Sequence, residues 1–148
     1  MPIVRDILSR KGTDVFTVVA ETTVLEAARM MNDRRCGAVC VVEGQCLKGM
    51  FTERDVLNRV VAPQLDPATT KVGEVMTAPV VSCGPEGNVR DCVAIMSARK
   101  IRHLPVVDGK DASARLIGMI STGDLMALEV DEKQAQIEQL HDYLHGRT

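Results

Sequence analysis

Apolar positions recur along the chain in two matching series. Val24, Ala27, Ala28 and Met31 stand at i, i+3, i+4 and i+7, and Val89, Cys92, Val93 and Met96 repeat that spacing 65 residues on (24 to 89). Each quartet is the apolar stripe of an amphipathic helix. At the same offset, Val39-Cys40-Val41-Val42-Glu43-Gly44 lies over Leu104-Pro105-Val106-Val107-Asp108-Gly109. Both are β-rich runs closed by an acidic residue and glycine, which reads as a strand and a turn. A second strand follows in each copy, Leu47-Lys48-Gly49-Met50-Phe51 and Leu116-Ile117-Gly118-Met119-Ile120, now 69 residues apart (47 to 116). The second copy therefore holds four extra residues in its turn, around Lys110-Asp111-Ala112-Ser113, where a surface loop accepts an insertion.

Each copy is preceded by a short helical spacing, Val4/Ile7/Leu8 and Val72/Val75/Met76, and then a brief strand at Phe16-Thr17-Val18 and at Val80-Val81-Ser82. The repeating unit reads helix, β, α, β, β, α. The expected division is a first repeat over 1–62, a Pro-containing linker over 63–71, a second repeat over 72–130, and a C-terminal helix and tail over 131–148. In that tail Ile137, Leu140 and Leu144 make a narrow apolar stripe, which needs a partner surface or folds back on its own core. Roughly 60 residues bury a marginal core on their own. The two copies are therefore expected to pack face to face through their small sheets, with pseudo-two-fold symmetry, in an α/β (α+β) fold.

Composition narrows the function. The 148 residues carry 18 basic and 20 acidic side chains, a net charge of −2, without the basic excess that phosphate-backbone binding needs. With Phe16, Phe51 and Tyr143 as its aromatic residues and no Trp, the chain offers little on which to stack bases, so no nucleic-acid partner is expected. The five cysteines, Cys36, Cys40, Cys46, Cys83 and Cys92, form no C-x-x-C pair and read as reduced core residues. No signal segment and no run of membrane-spanning length is present, so a cytoplasmic protein is expected. His141 and His145 are four apart without an evident third metal ligand. The serines lack His and acid partners, a Cys36 or Cys92 pairing with His103 stays open, and neither dinucleotide nor phosphate-loop glycine patterns occur, so no enzyme is expected.

Both copies leave their last strand through one pattern, Gly49-Met50-Phe51-Thr52-Glu53-Arg54-Asp55 and Gly118-Met119-Ile120-Ser121-Thr122-Gly123-Asp124. The shared part is G-h-h-(T/S)-x-x-D. It reads as a capping box, in which a hydroxyl and a carboxylate satisfy orphan backbone N–H groups. It also reads as a nucleotide site, in which the helix N-terminus and hydroxyl meet phosphate and the carboxylate accepts ribose hydroxyls. The glycine would let backbone or base approach closely. The two readings are compatible.

Two such units, with Met76-Thr77-Ala78-Pro79 ahead of the second copy's first strand and Arg99-Lys100-Ile101-Arg102-His103-Leu104-Pro105-Val106-Val107 at its second, resemble a pair of CBS (cystathionine-β-synthase-type) domains, a Bateman module. The resemblance covers about Val4 to Glu129. It implies a stand-alone sensor that binds adenosine-containing ligands (AMP, ADP, ATP, NAD-type dinucleotides or S-adenosylmethionine) in clefts between the repeats and signals to an effector protein, commonly as a homodimer. It implies no catalytic cofactor. Carried over by motif, Asp124 and Asp55 hold ribose, Ser121 and Thr52 meet phosphate, and the base lies among Pro79, Val80, Leu104 and Ile120 or among Phe16, Val39 and Phe51. A second-copy site would thus comprise Thr77, Pro79, Val80, Arg102, His103, Leu104, Pro105, Ile120, Ser121 and Asp124, and a weaker first-copy site Lys11, Phe16, Thr17, Gly37, Ala38, Val39, Phe51, Thr52, Arg54 and Asp55. The second copy offers Arg102-His103 where the first has Gly37-Ala38, so the phosphate is expected at the second-copy site. A scaffold that dimerises without ligand is the alternative function.

Overall fold

The computed structural model describes residues 2–110 and 113–144, so Asp111, Ala112 and His145 lie outside the described residues. In chain order the elements are α1 (Val4–Lys11), β1 (Thr17–Val18), α2 (Val24–Arg34), β2 (Ala38–Glu43), β3 (Cys46–Thr52) and α3 (Glu53–Asp55), which runs on as a wider π-helical stretch over Val56–Val61. Then come α4 (Val72–Val75), α5 (Val89–Arg99), β4 (His103–Asp108), β5 (Arg115–Ser121) and α6 (Thr122–Leu144). Thr23 and Asn88 cap α2 and α5 with side-chain oxygens, and Arg35 and Lys100 end them in the left-handed region, at φ 53° and 54°. That turn delivers the chain into β2 and β4 in the same way in both copies.

The two hairpins share one register. Cys40 lies opposite Met50 and Pro105 opposite Met119, and both ladders shift after the next residue, Val41 or Val106. The hairpins meet where β3 and β5 pair at Cys46 and Arg115, giving the strand order β1-β2-β3-β5-β4. Side chains alternate between faces along a strand. Val39 and Val41 pack with α2, and Leu104 and Val106 with α5, each in its own repeat's core. Ala38, Cys40 and Met50 point the other way and meet Met119 and Leu116, so the repeats pack through their sheets as expected.

The second copy's first strand departs from expectation. Instead of a strand over Val80-Val81-Ser82 there is an isolated parallel pairing of Cys83 with Val106. Cys83 N–H donates to the Pro105 carbonyl at 3.0 Å and Val107 N–H to the Cys83 carbonyl at 2.8 Å. Extending this ladder back to Val81 would require an N–H at Pro105, which proline lacks. In the first copy the equivalent donor is Cys40, and it reaches the Phe16 carbonyl at 3.1 Å.

The leading helices are exchanged between the repeats. Val4, Ile7 and Leu8 of α1 lie in the core of the second repeat, with Val89, Cys92, Met96 and Ile120. Val72 and Val75 of α4 lie in the core of the first, with Val24, Ala27, Met31 and Phe51. Three main-chain hydrogen bonds fix each exchange, and they match position for position. Val4 N–H to Gly87, Arg5 N–H to Pro85 and Val89 N–H to Pro2 are mirrored by Val72 N–H to Thr22, Gly73 N–H to Ala20 and Val24 N–H to Thr70. The helix, β, α, β, β, α unit of the sequence is therefore not the unit in space. Residues 63–71, expected as a plain linker, are docked too, since Leu25 N–H reaches Pro67 and Thr70 is buried.

Glycine in the exit pattern serves this exchange and leaves no opening for a base. A Cβ on Gly118 would lie 2.8 Å from Leu8 Cδ2, and one on Gly49 would overlap Met76 Sδ. The missing side chains are the space that the exchanged helices fill. The C-terminal region also differs from expectation, because α6 runs unbroken from the exit motif into the tail, with no Gly or Pro between Asp124 and Leu144 to stop it and a Glu129–Lys133 pair at 3.1 Å along its side. From Asp131 to Leu144 it is exposed throughout, and the stripe of Ile137, Leu140 and Leu144 is not folded back on the core.

Leu8 and Gly118 belong to different copies, so a double-mutant cycle tests the exchange. Gly118→Val is expected to cost about 1–3 kcal/mol by overpacking, and Leu8→Ala to relieve part of that cost, with a coupling of at least about 0.5 kcal/mol in denaturant unfolding. Strictly additive effects would place α1 elsewhere.

Candidate functional site

Asp55 sits at the third residue of the exit helix, where the capping box puts it. Its Oδ2 accepts from the Thr52 N–H at 3.0 Å, and its own N–H donates to Thr52 Oγ1 at 3.2 Å. The cap accounts for one carboxylate oxygen. The other, Oδ1, accepts from the Thr77 hydroxyl at 3.0 Å and lies 3.7 Å from Arg59 Nε. Thr77 follows the exchanged helix α4, and its main chain pairs with Met50 of β3 through bonds of 3.0 and 2.8 Å. The exchange thus carries a second-copy hydroxyl onto a first-copy aspartate whose side chain is 7% exposed.

A cavity of about 310 Å³ opens beside this pair. Thr52, Arg54, Asp55 and Gly37 of the first copy line it together with Thr77, Pro79, Val80, Arg102 and His103 of the second. The expected sites are therefore sorted differently: Thr77, Pro79 and Val80 stand with Asp55, on the far side of the exchange from Asp124. Arg99 and Ile101 join the lining and were not foreseen. Arg59 was not foreseen either, although its four-residue spacing from Asp55 was open to view.

A wider groove of about 650 Å³ adjoins it, lined by Asn32, Arg35, Gly37, Glu53, Arg102, His103, Ser121 and Thr122. Gly37, Glu53, Arg102 and His103 line both spaces and form a common wall. Glu53 pairs with Arg102 of the other repeat, and not with the neighbouring Arg54. Burial, reinforced by the charge of Arg102, pushes the pKa of His103 below its ordinary value. At neutral pH the positive charge of this wall accordingly comes from Arg102.

Asp124, the second copy's equivalent of Asp55, has a different partner. Its Oδ2 accepts from Lys11 Nζ at 2.7 Å and from the Ser121 N–H at 2.8 Å, and Lys11 Nζ also donates to the Met119 carbonyl at 2.9 Å. Lys11 ends α1, which has eight residues where α4 has four, so the longer exchanged helix reaches the carboxylate with an ammonium instead of a hydroxyl. Arg10 on the same turn pairs with Asp131, holding α1 against α6 at a second point. Lys11 and Asp124 share a small recess of about 200 Å³ with Ile7 and Leu128.

Several expected contacts belong to the interior. Leu104, Ile120, Val39 and Phe51 are fully buried in the repeat cores and offer a base no surface. Ala38 is sealed between the sheets, and Pro105 is also buried. Phe16 packs against the first core with the Arg34 guanidinium 4.3 Å above its ring, and Thr17 faces a separate shallow groove beside Thr13 and Arg115. Burial pushes the Cys40 and Cys83 thiols up to about 12 and raises Cys92, so all three are protonated and poor nucleophiles at neutral pH.

Burial works to raise the pKa of Asp124, but the hydrogen bonds from Lys11 and Ser121 outweigh it and hold the group below its ordinary value. Such a carboxylate adds stability above its unfolded pKa of about 4 and loses it as pH falls through the lower folded value. Lys11→Met is therefore expected to destabilise the fold at pH 7, by a margin that shrinks below about pH 4 in unfolding titrations. A margin independent of pH would mean that Lys11 acts through packing alone.

A model of the CBS domain family matches this chain twice, over residues 4–62 and 72–131. CBS domain-containing protein CBSX3, mitochondrial, of Arabidopsis thaliana is 31% identical over an alignment of 152 positions, covering 97% of this chain and 72% of that protein. The crystal structure of the CBS-domain containing protein ATU1752 from Agrobacterium tumefaciens superposes with a TM-score of 0.76 at 36% identity, over 86% of this chain and 98% of that one. The CBS domain pair of protein MJ0100, solved in complex with 5′-methylthioadenosine and S-adenosyl-L-methionine, shares the fold with a TM-score of 0.74 at 23% identity, over 89% of this chain and 98% of its own. The repeated halves, the shared register and these matches agree: the chain belongs to the CBS domain family, as a tandem pair of CBS domains.

Proposed function

We propose that this chain is a regulatory module that senses adenosine-containing ligands in the clefts between its repeats and signals to a protein partner, in the cytoplasm. The observation that carries the reading is the Asp55 cleft. It joins a sheltered carboxylate, two threonine hydroxyls, an apolar wall of Pro79 and Val80, and arginines at its rim. Its volume of about 310 Å³ suits a small ligand of this kind. The ribose diol takes the place of the Thr77 hydroxyl on Asp55, the base lies against Pro79 and Val80, and phosphate is received by Arg102 on the shared wall. The Asp124 site fills second, because Lys11 must first leave its carboxylate. Adenosine compounds bound by MJ0100, with the same fold, are consistent with this ligand class.

A scaffold that dimerises without ligand is the second reading. It is favoured by the exposed apolar face of α6, where Met126, Val130, Ile137 and Leu140 are each at least 59% exposed. In this reading the partner of that face is a protein, a second copy included.

Thermal unfolding separates the readings. A ligand at a hundredfold its dissociation constant stabilises the folded state by about 2.7 kcal/mol, raising Tm by roughly 5–10 °C for a chain of this size. AMP, ATP, NAD and S-adenosylmethionine are the compounds to screen. At least one is expected to raise Tm of wild type and of Asp124→Ala, and to lose that effect in Asp55→Asn, which keeps an oxygen for the cap. If none raises Tm of the wild type, the scaffold reading stands.

A further inference from the structure

The wall between the two clefts carries a charge pattern that the repeats do not share. Glu53 N–H donates to the Gly37 carbonyl at 3.0 Å, and Thr122 N–H donates to the Arg102 carbonyl at 3.0 Å. These are the same bond in the two copies, so Glu53 is the counterpart of Thr122 and Gly37 the counterpart of Arg102. Across the pseudo-two-fold axis, the acid that only the first copy has meets the guanidinium that only the second copy has. The glycine makes room for this, since a Cβ on Gly37 would lie 3.2 Å from Glu53 Oε1.

We infer that Glu53 is a specificity residue of the shared wall, which makes the module favour adenosine ligands bearing one phosphate over those bearing a polyphosphate chain. This rests on the adenosine-sensing reading above. Both partners of the pair are more than 60% exposed on their side chains, so the pair is easily broken and a phosphate can take Arg102 from it. The backbone of Glu53 stays fixed by its bond to Gly37, so its carboxylate stays in the lining of both spaces and near whatever anion has entered. The lining charges set the scale. The Asp55 cleft holds three arginines against two carboxylates, and the wider groove two arginines against Glu53, with His103 neutral in both. Each space has only a small excess of lining cations, which serves one phosphate and leaves each further phosphate facing Glu53 with no added lining cation.

The duplication supplies the variant that tests this. Glu53→Thr installs the residue that the second repeat already has at the equivalent helix position. Titration calorimetry with AMP and with ATP, in metal-free buffer at low ionic strength, gives the ratio of their affinities for wild type and variant. Freeing Arg102 is expected to tighten AMP by up to about fivefold, the worth of an exposed pair. ATP is expected to tighten at least about threefold more than AMP, a difference that high salt erases by screening. Glu53→Gln gives the same shift if charge is its cause. Equal changes for both ligands, or none, overturn the role of Glu53 while leaving ligand sensing intact. If wild type and variants bind neither ligand, the sensing reading falls and this inference with it.

Discussion

Each repeat of this chain is completed by a helix that belongs, in sequence, to the other. A hairpin with one covering helix leaves apolar surface exposed, and a unit of this size has little core to spare. Here the deficit is met reciprocally. Leu8 fills the space over Gly118, Met76 fills the space over Gly49, and matched sets of main-chain bonds hold both helices in place. Each repeat's core includes side chains of the other, and the sheets meet around Cys40, Met50 and Met119.

The clefts follow from the same exchange. The segment that leaves each borrowed helix is delivered to the exit motif of the repeat that borrowed it. In one case it brings Thr77 to Asp55, and in the other, one helical turn longer, it brings Lys11 to Asp124. A difference of four residues in helix length thus separates a hydroxyl-lined cleft from a carboxylate held by a cation. Symmetry of the backbone and asymmetry of the chemistry coexist because hydrogen bonds of the main chain fix the first, while the side chains remain free to diverge.

Much of this was legible in the sequence. The spacing of Val24, Ala27 and Met31 against Val89, Cys92 and Met96, the two hairpins and the capping boxes are local patterns, and local patterns survive translation into structure. The exchange was not legible, because periodicity tells which face of α1 is apolar without telling which copy will cover it. Strand parity was silent for a related reason. β2 and β4 are buried on both faces, so no polar alternation marked Val39 and Leu104 as facing the helices and Ala38 as facing the other repeat. The Glu53–Arg102 pair joins residues 49 apart in sequence and across the axis, a separation that no local pattern spans.

The central claim is that ligand is held by both repeats at once. Backbone amide shifts of the whole chain, followed by NMR during titration with AMP, test it most directly. The account predicts that Thr52 and Asp55 of the first repeat move together with Thr77 and Arg102 of the second, along one saturation curve. Shifts confined to one repeat, or no shifts at all, would contradict it.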